Sequence, residues 1–252
     1  MPDLNNTRAS DSSMAFQVPP VGMPPQRQAD ERSALQKVVW FGILQLAGLV
    51  AGWVLGFYVF STVFSNLGIY TLPQTPTPAD VETILGPLFR GLSVLVPIMA
   101  IFQIVAIILL TLSFRQFCIV DRERFSLPSV LMLLMLAGAV IATVGIVPFF
   151  NSIPNIIAQA PSNAGAVPSE AFSSAIASLL VYVVFMMIGG LLGLIGLIGG
   201  QILGLWRVGS RYNETIVKVG AIFAIVPFLD VVAPILVIVG AYQAKGRVSL
   251  QP

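Results

Sequence analysis

The chain of 252 residues contains no histidine and a single cysteine, Cys118. Without histidine, the usual Ser-His and Cys-His nucleophile pairs cannot form. The common histidine-based zinc, copper and haem sites are excluded for the same reason, and no disulfide can form within the chain. The sequence also has neither a P-loop nor a Rossmann glycine pattern. We therefore expect no enzyme, with no catalytic residues, no metal and no cofactor.

Charged residues are also scarce. They make up 10% of the chain, and hydrophobic residues make up 56%, whereas an ordinary soluble domain has about 25% charged residues. Apolar runs of about 20 residues match the hydrocarbon core of a bilayer, which is about 30 Å thick. The composition therefore predicts an all-α, polytopic transmembrane helical bundle whose main partner is the lipid bilayer. A net charge of +2 is too small to favour a nucleic-acid partner.

The apolar segments divide the chain into a tail, a transmembrane domain and a second, short tail. Residues 1–36 are rich in Asn, Ser, Pro and Gln. This predicts a disordered cytoplasmic tail, because little apolar surface is present to offset the entropy of ordering. Residues 37–245 form the predicted transmembrane domain, and residues 246–252 form the short tail. The full spans are predicted at about 38–64, 91–114, 127–150 and 172–206, and a helical lead-in to the second span begins at Thr77-Pro78-Ala79-Asp80.

Basic residues are missing from two polar connections, residues 65–89 and 151–168. Twelve of the 13 Lys and Arg residues lie instead in the N-terminal tail, the loop after the second span, the segment after the fourth span and the C-terminus. Arg90 stands alone on a border. Cytoplasmic loops carry an excess of Lys and Arg. The pattern predicts a multi-pass protein of the cell membrane with its N-terminus in the cytoplasm.

The last apolar stretch, residues 215–244, conflicts with this pattern if it crosses the membrane once, because the basic residues after it would lie outside. Pro227 and Pro234 interrupt the stretch, and each proline removes an intrahelical hydrogen bond and clashes with the preceding turn. We therefore predict a helical hairpin, formed by residues 214–227 and 232–244, with helix breaks at the two prolines. The alternative is a bundle of five spans in which the last helix is long and Pro-kinked.

Asp230 is the only acid well inside an apolar stretch. An ionisable group there is costly unless it is paired or hydrated, and it marks a functional site by default. Arg90, at the outer end of the second span, is the only cation predicted near that level, and we predict that the two form a pair. In the functional interpretation, Asp230 binds a cation or carries protons. In the structural interpretation, its carboxylate caps the second half-helix of the hairpin.

The fourth span carries a stripe of glycines at spacings of 4, 3, 4 and 4 residues. At about 100° per residue these glycines share one helix face, and small residues let helix backbones approach closely in lipid. The stripe packs within the chain or forms a groove for a partner helix, a lipid or a substrate. The span is longer than one crossing requires, so we expect it to tilt, protrude or break near Gly199-Gly200. The stripe consists of Gly189, Gly193, Gly196, Gly200 and Gly204.

The C-terminal third has a pattern of its own. It begins with Arg211-Tyr212-Asn213 and Lys218-Val219-Gly220 and continues with a Pro-Phe-Leu-Asp turn at Pro227 and a second half-helix. Residues 207–244 thereby resemble the end of a family of uncharacterised archaeal multi-pass membrane proteins. The resemblance implies an archaeal cell membrane and supplies no activity. It also implies that position 230 does not require a charge, because Asn is frequent there in the family.

Two classes of function remain. The first is a structural or accessory subunit of a membrane assembly, either homo-oligomeric or formed with other membrane subunits. The alternative is a small-solute or ion transporter that uses the intramembrane Asp230. We favour the first because few polar residues stand out in the spans, chiefly Gln45, Gln103 and Asp230. A translocation path normally needs several such groups.

Overall fold

The computed structural model describes residues 25–67, 78–159, 169–226, 229 and 231–249. Within these ranges the chain forms seven α-helices and one short π-helix, here called the π segment, and contains no strand. In chain order the elements are α1 (Pro25–Leu67), α2 (Pro78–Val120), α3 (Arg122–Gln159), α4 (Glu170–Gly196), the π segment (Leu197–Ile202), α5 (Leu203–Arg211), α6 (Thr215–Phe223) and α7 (Val232–Ser249).

Four helical stretches are long and apolar enough to cross a membrane: Gln26–Ser65, Leu85–Val120, Arg122–Ile157 and Glu170–Arg211. The last of these runs through α4, the π segment and α5. The protein is therefore membrane-embedded, and the predicted all-α polytopic fold is confirmed. The long helices pack in chain order, with α1 against α2, α2 against α3 and α3 against α4.

The last apolar stretch forms two separate helices that pack side by side. A Cβ added at Gly240 of α7 would lie 2.9 Å from the Val217 nitrogen, and one added at Gly220 of α6 would lie 3.1 Å from the Leu236 Cβ. Because later residues of α6 meet earlier residues of α7, the two helices run antiparallel. The predicted hairpin is thus confirmed over the five-span alternative. Pro227 lies outside the described residues, and Pro234 stands in the first turn of α7, where a helix tolerates proline.

The N-terminal boundary differs from the prediction. Residues 1–36 were expected to be a disordered tail, whereas α1 begins at Pro25; residues 1–24 lie outside the described residues. Proline is favoured at a first helical position. Ala34 and Leu35 of this segment are fully buried in the core, and Glu31 is buried with them. Burial against other parts of the chain therefore stabilises helix well before the predicted start of the span. The composition of the segment alone does not reveal this burial.

The hydrophobic core lies in one half of the bundle. Its largest fully buried side chains include Phe41 of α1, Phe114 and Phe117 of α2, and Phe125 of α3. The hairpin lies in the same half. A Cβ added at Gly42, near the middle of α1, would lie 3.1 Å from the Pro234 carbonyl oxygen at the start of α7. The hairpin therefore covers only part of the length of α1, and residues nearer the end of α1, such as Phe57, are exposed on the protein surface.

The π segment interrupts the fourth span at the place where the sequence predicts a break, around Gly199-Gly200. Its backbone lies close to α3, because a Cβ added at Gly200 would lie 2.9 Å from the Met132 nitrogen. A π turn contains one residue more than the regular helix, and it shifts the face that the following residues present. The shift matters for the polar side chain of this segment, Gln201, which is buried.

Candidate functional site

A half-open cavity of about 390 Å³ lies between the helices, where the hairpin ends and the long helices continue. This volume falls within the range of small-molecule sites in proteins. Four elements supply its walls: α1, α2, the π segment and the turn end of the hairpin. The lining residues are Leu44, Gln45, Gly48, Leu49, Gly52, Trp53, Met99, Phe102, Gln103, Leu197, Gln201, Ala224, Ala233 and Pro234.

Three carboxamides from three different elements meet at this cavity. Gln45 comes from α1, Gln103 from α2 and Gln201 from the π segment. The Gln201 residue is 3% exposed, and its Oε1 atom has no hydrogen-bond partner among the protein atoms. A buried polar atom without a partner costs about 1–3 kcal/mol. The Gln201 carbonyl oxygen therefore carries this cost of burial within the protein.

Among the described residues of the lining there is no Asp, Glu, Lys or Arg. The described part of the wall offers carboxamides and apolar side chains, which give a charged molecule little compensation for its lost hydration and therefore suit a neutral one better. Among the residues that the structure describes, no group of three or more His, Cys, Asp or Glu side chains could hold a metal ion.

A second polar feature, the charge cluster, is formed by Glu31, Asp121, Arg211 and Tyr212 at the core end of the bundle. Arg211 Nη2 lies 2.6 Å from Glu31 Oε1, and Arg211 Nη1 lies 2.9 Å from Asp121 Oδ2. The Tyr212 hydroxyl donates to Glu31 Oε2 at 2.8 Å. Burial, and after it the Glu31 carboxylate, raise the pKa of the Tyr212 phenol. The cluster joins the start of α1, the α2–α3 corner and the end of α5.

Further polar contacts surround this cluster. Arg247 of α7 forms an ion pair with Glu214, with 2.9 Å between Nη2 and Oε1, and Arg247 Nη1 donates to the Tyr212 carbonyl at 3.0 Å. The Glu214 Oε1 atom lacks hydrogen-bond geometry in this contact, so the attraction is chiefly electrostatic. Lys37 donates to Gln116 at 2.7 Å, and Lys245 donates to Gln36. The basic segments that the sequence assigned to one side of the membrane thus share one end of the bundle.

The predicted polar pair falls partly outside the described residues. Asp230 is not among them, so its pairing with Arg90 stays a prediction. Arg90 is exposed on α2. It lies 12 residues before Phe102, which lines the cavity, and this separation corresponds to about 18 Å along the helix axis. Pro234, predicted as a helix break, is buried and contributes to the cavity wall.

The glycine stripe has different surroundings along its length. An added Cβ would lie 2.7 Å from the Gly138 oxygen at Gly189, 2.5 Å from the Met135 nitrogen at Gly196, and 2.9 Å from the Met132 nitrogen at Gly200. At Gly204 it would meet the Phe114 ring. At Gly193 an added Cβ would have no neighbour within 4 Å.

Sequence reasoning missed one of the three carboxamides of the cavity. Gln45 and Gln103 were noted as uncommon polar groups in the spans, but Gln201 was overlooked within the Gly-rich run. The available signal was one carboxamide inside a long apolar segment, which is costly unless it is used. The partners of Arg211 in the charge cluster, Glu31 and Asp121, were also missed, since neither belongs to a recognisable local pattern.

The long apolar helices define a polytopic α-helical membrane protein. The chain belongs to the family described as "Protein of unknown function (DUF973)", whose model matches residues 33–252. The predicted resemblance to an uncharacterised family is thereby confirmed at the level of the family. Comparison with curated proteins and with solved structures found no match.

Proposed function

We propose that the protein is a structural or accessory subunit of a membrane assembly. The observation that carries the proposal is the placement of α4, which packs chiefly on α3 and the adjoining π segment. Only 11% of the most apolar part of the membrane-spanning stretch Glu170–Arg211, which begins with α4, is buried inside the protein. The face turned away from α3 includes Met187, which is 70% exposed, and Leu191. A helix attached along one side has a free flank for contact with lipid or with another subunit.

Two glycines on this helix support the choice of another subunit. An added Cβ at Gly190 or Gly193 would have no neighbour within 4 Å. A side chain would therefore not clash within the chain at either position, although the Gly193 backbone nitrogen itself lies beside Gly138 of α3. Open glycines on a membrane helix allow a second helix to approach closely. The partner can be a second copy of the chain or a different membrane protein, and either arrangement belongs to the proposal.

The proposal includes a location and an orientation. We place the protein in an archaeal cell membrane with its N-terminus in the cytoplasm and assign it no enzymatic activity. The gathering of Arg211, Arg247, Lys37 and Lys245 at one end of the bundle supports this orientation, because cytoplasmic surfaces of membrane proteins are enriched in Lys and Arg.

Extraction in a gentle detergent followed by native mass spectrometry tests the subunit proposal. We expect a species larger than one chain, with a fixed stoichiometry. Gly190→Leu should reduce that species, because the added side chain fills the flank on which a partner helix would rest. Gly56→Leu on α1 is a matched control, since an added Cβ there also has no neighbour within 4 Å. A monomer without co-purifying protein would contradict the proposal.

Transport of a small solute or ion is a second candidate function. The cavity favours a neutral solute, whereas transport of an ion would depend on Asp230. If Asp230 carries it, Asp230→Asn should abolish uptake by liposomes that contain the purified protein, while Glu170→Gln at the exposed start of α4 should leave uptake unchanged. Wild-type liposomes without uptake, or uptake that Asp230→Asn does not alter, would count against this candidate and favour the subunit role.

A further inference from the structure

Three cations mark the points at which long uncharged runs of the chain begin or end. No Asp, Glu, Lys or Arg lies between Arg124 and Glu170, and none lies between Glu170 and Arg207. The run after Lys218 is likewise uncharged up to Asp230. Charged side chains are costly inside hydrocarbon and stay at its edge. The three cations should therefore lie at the level where the hydrocarbon core meets the lipid headgroups.

The fold brings these cations together around one exposed aromatic ring. Arg207 of α5 donates to the backbone carbonyl oxygen of Arg124 at the start of α3. The Lys218 ammonium of α6 lies 5.7 Å from the centre of the Trp206 ring. Trp206 directly precedes Arg207 and is exposed, whereas Leu205 is fully buried. Trp206 and Arg207 therefore lie on the outward face of α5, with α3 and α6 on either side.

The protein itself does not neutralise the two cations nearest to this ring. Glu214 lies four residues before Lys218, but it forms its ion pair with Arg247, with 2.9 Å between the charged atoms. Among the described residues, no ion pair involves Arg207 or Lys218. Positive charge therefore remains on an outward surface at the edge of the hydrocarbon, where an anion would stabilise it.

We propose that this surface, formed by Arg124, Trp206, Arg207 and Lys218, binds the phosphate of an anionic lipid of the surrounding bilayer. Arg207 and Lys218 supply the positive charge, and the Trp206 indole packs beside the first carbons of the lipid chains. An anionic lipid is favoured over a zwitterionic one, because its phosphate carries no ammonium of its own. The inference does not depend on the subunit role or on transport.

Native mass spectrometry of the full-length protein in detergent tests the proposal. The protein is titrated with phosphatidylglycerol and, separately, with phosphatidylcholine that has the same acyl chains, and binding of the first lipid is quantified. We expect phosphatidylglycerol to bind at least about fivefold more tightly. An excess of inorganic phosphate should not displace it, because a free phosphate has no hydrocarbon to pack beside the indole.

Variants without charge assign the binding to this surface. Arg207→Gln and Lys218→Gln should each weaken binding of phosphatidylglycerol about fivefold, and the double variant about 25-fold, the usual effect of basic residues at an anionic membrane surface. Lys218→Arg keeps the charge and should bind as tightly as the wild type. The matched control is Arg32→Gln with Arg115→Gln. It removes two exposed cations from the same end of the bundle, neither of which lies over an aromatic ring among the described residues, and it should keep the affinity.

The test stays decisive if Arg207→Gln does not fold. The Lys218 ammonium contacts only the Trp206 ring among the described residues, so Lys218→Gln then decides alone. Three outcomes would overturn the proposal: equal binding of the two lipids, equal weakening in the control double variant, or displacement by inorganic phosphate as effective as that by phosphatidylglycerol. The second would assign binding to the basic end as a whole, and the third would identify a water-borne anion.

Discussion

An Arg211→Met variant is expected to lose about 3–5 kcal/mol of its free energy of unfolding. The Arg211 side chain is 17% exposed and Glu31 is 3% exposed, and their nitrogen and oxygen atoms are 2.6 Å apart. Among the described residues, removing the guanidinium leaves the buried Glu31 carboxylate with the Tyr212 hydroxyl as its remaining partner. It also removes the ion pair to Asp121. Denaturant or thermal unfolding of the purified protein measures the loss.

Two comparisons separate this effect from a general loss of charge. Arg124 also pairs with Asp121, but at 3.7 Å and with half of its side chain exposed, so Arg124→Met should cost no more than about 1 kcal/mol. Adding Glu31→Gln to Arg211→Met should recover part of the stability, because the unpaired carboxylate is then neutral. Equal losses in the two single variants would show that the charge cluster does not hold the helices together.

The charge cluster shows what a charge pattern can and cannot predict. The absence of basic residues from two connections predicted that the remaining basic segments lie on one side of the membrane, and the structure brings them to one end of the bundle. The pattern could not predict their partners, because Arg211 is separated from Asp121 by 90 residues and from Glu31 by 180. Such pairs depend on which helices are neighbours, and apolar periodicity in a membrane helix says little about that.

The position of Gln201 in the cavity wall could not be predicted from the sequence for a different reason. The glycine run predicted a break near Gly199-Gly200, and a π segment lies there. A π turn adds a residue to the regular repeat. Since each residue advances the helix by about 100°, one extra residue moves every later side chain to another face. A regular helical projection therefore could not assign Gln201 to the interior.

The early start of α1 could not be predicted from the sequence for a third reason. Residues 25–36 have the composition of a disordered segment when taken alone, and that composition predicted the tail. In the fold, Leu35 joins the core and Glu31 meets Arg211 and Tyr212. Order in this segment depends on partners far along the chain. Local composition reports only what a segment can bury by itself.

Substitution by alanine is expected to have opposite effects at two adjacent glycines of α4. At Gly189 the new methyl group would lie 2.7 Å from the Gly138 oxygen and 2.8 Å from the Ala142 Cα. Both are backbone atoms that cannot rotate away, so Gly189→Ala should cost about 3 kcal/mol or prevent α3 and α4 from packing. At Gly190 the methyl group meets nothing within 4 Å. Gly190→Ala should therefore leave stability unchanged or raise it by up to about 1 kcal/mol, the helix-propensity difference.

Thermal midpoints of the two variants in one detergent provide the measurement, with Gly193→Ala as a second open position. If Gly189→Ala is as stable as the wild type, the close approach of α3 and α4 is not required for folding. If the expected results are obtained, the two interpretations of the stripe apply to different positions. Gly189 and Gly196 would serve packing within the chain, because their losses appear in the isolated protein. Gly193, together with the adjacent Gly190, would serve contacts outside it, because substitutions there change assembly while the folding of the single chain is preserved.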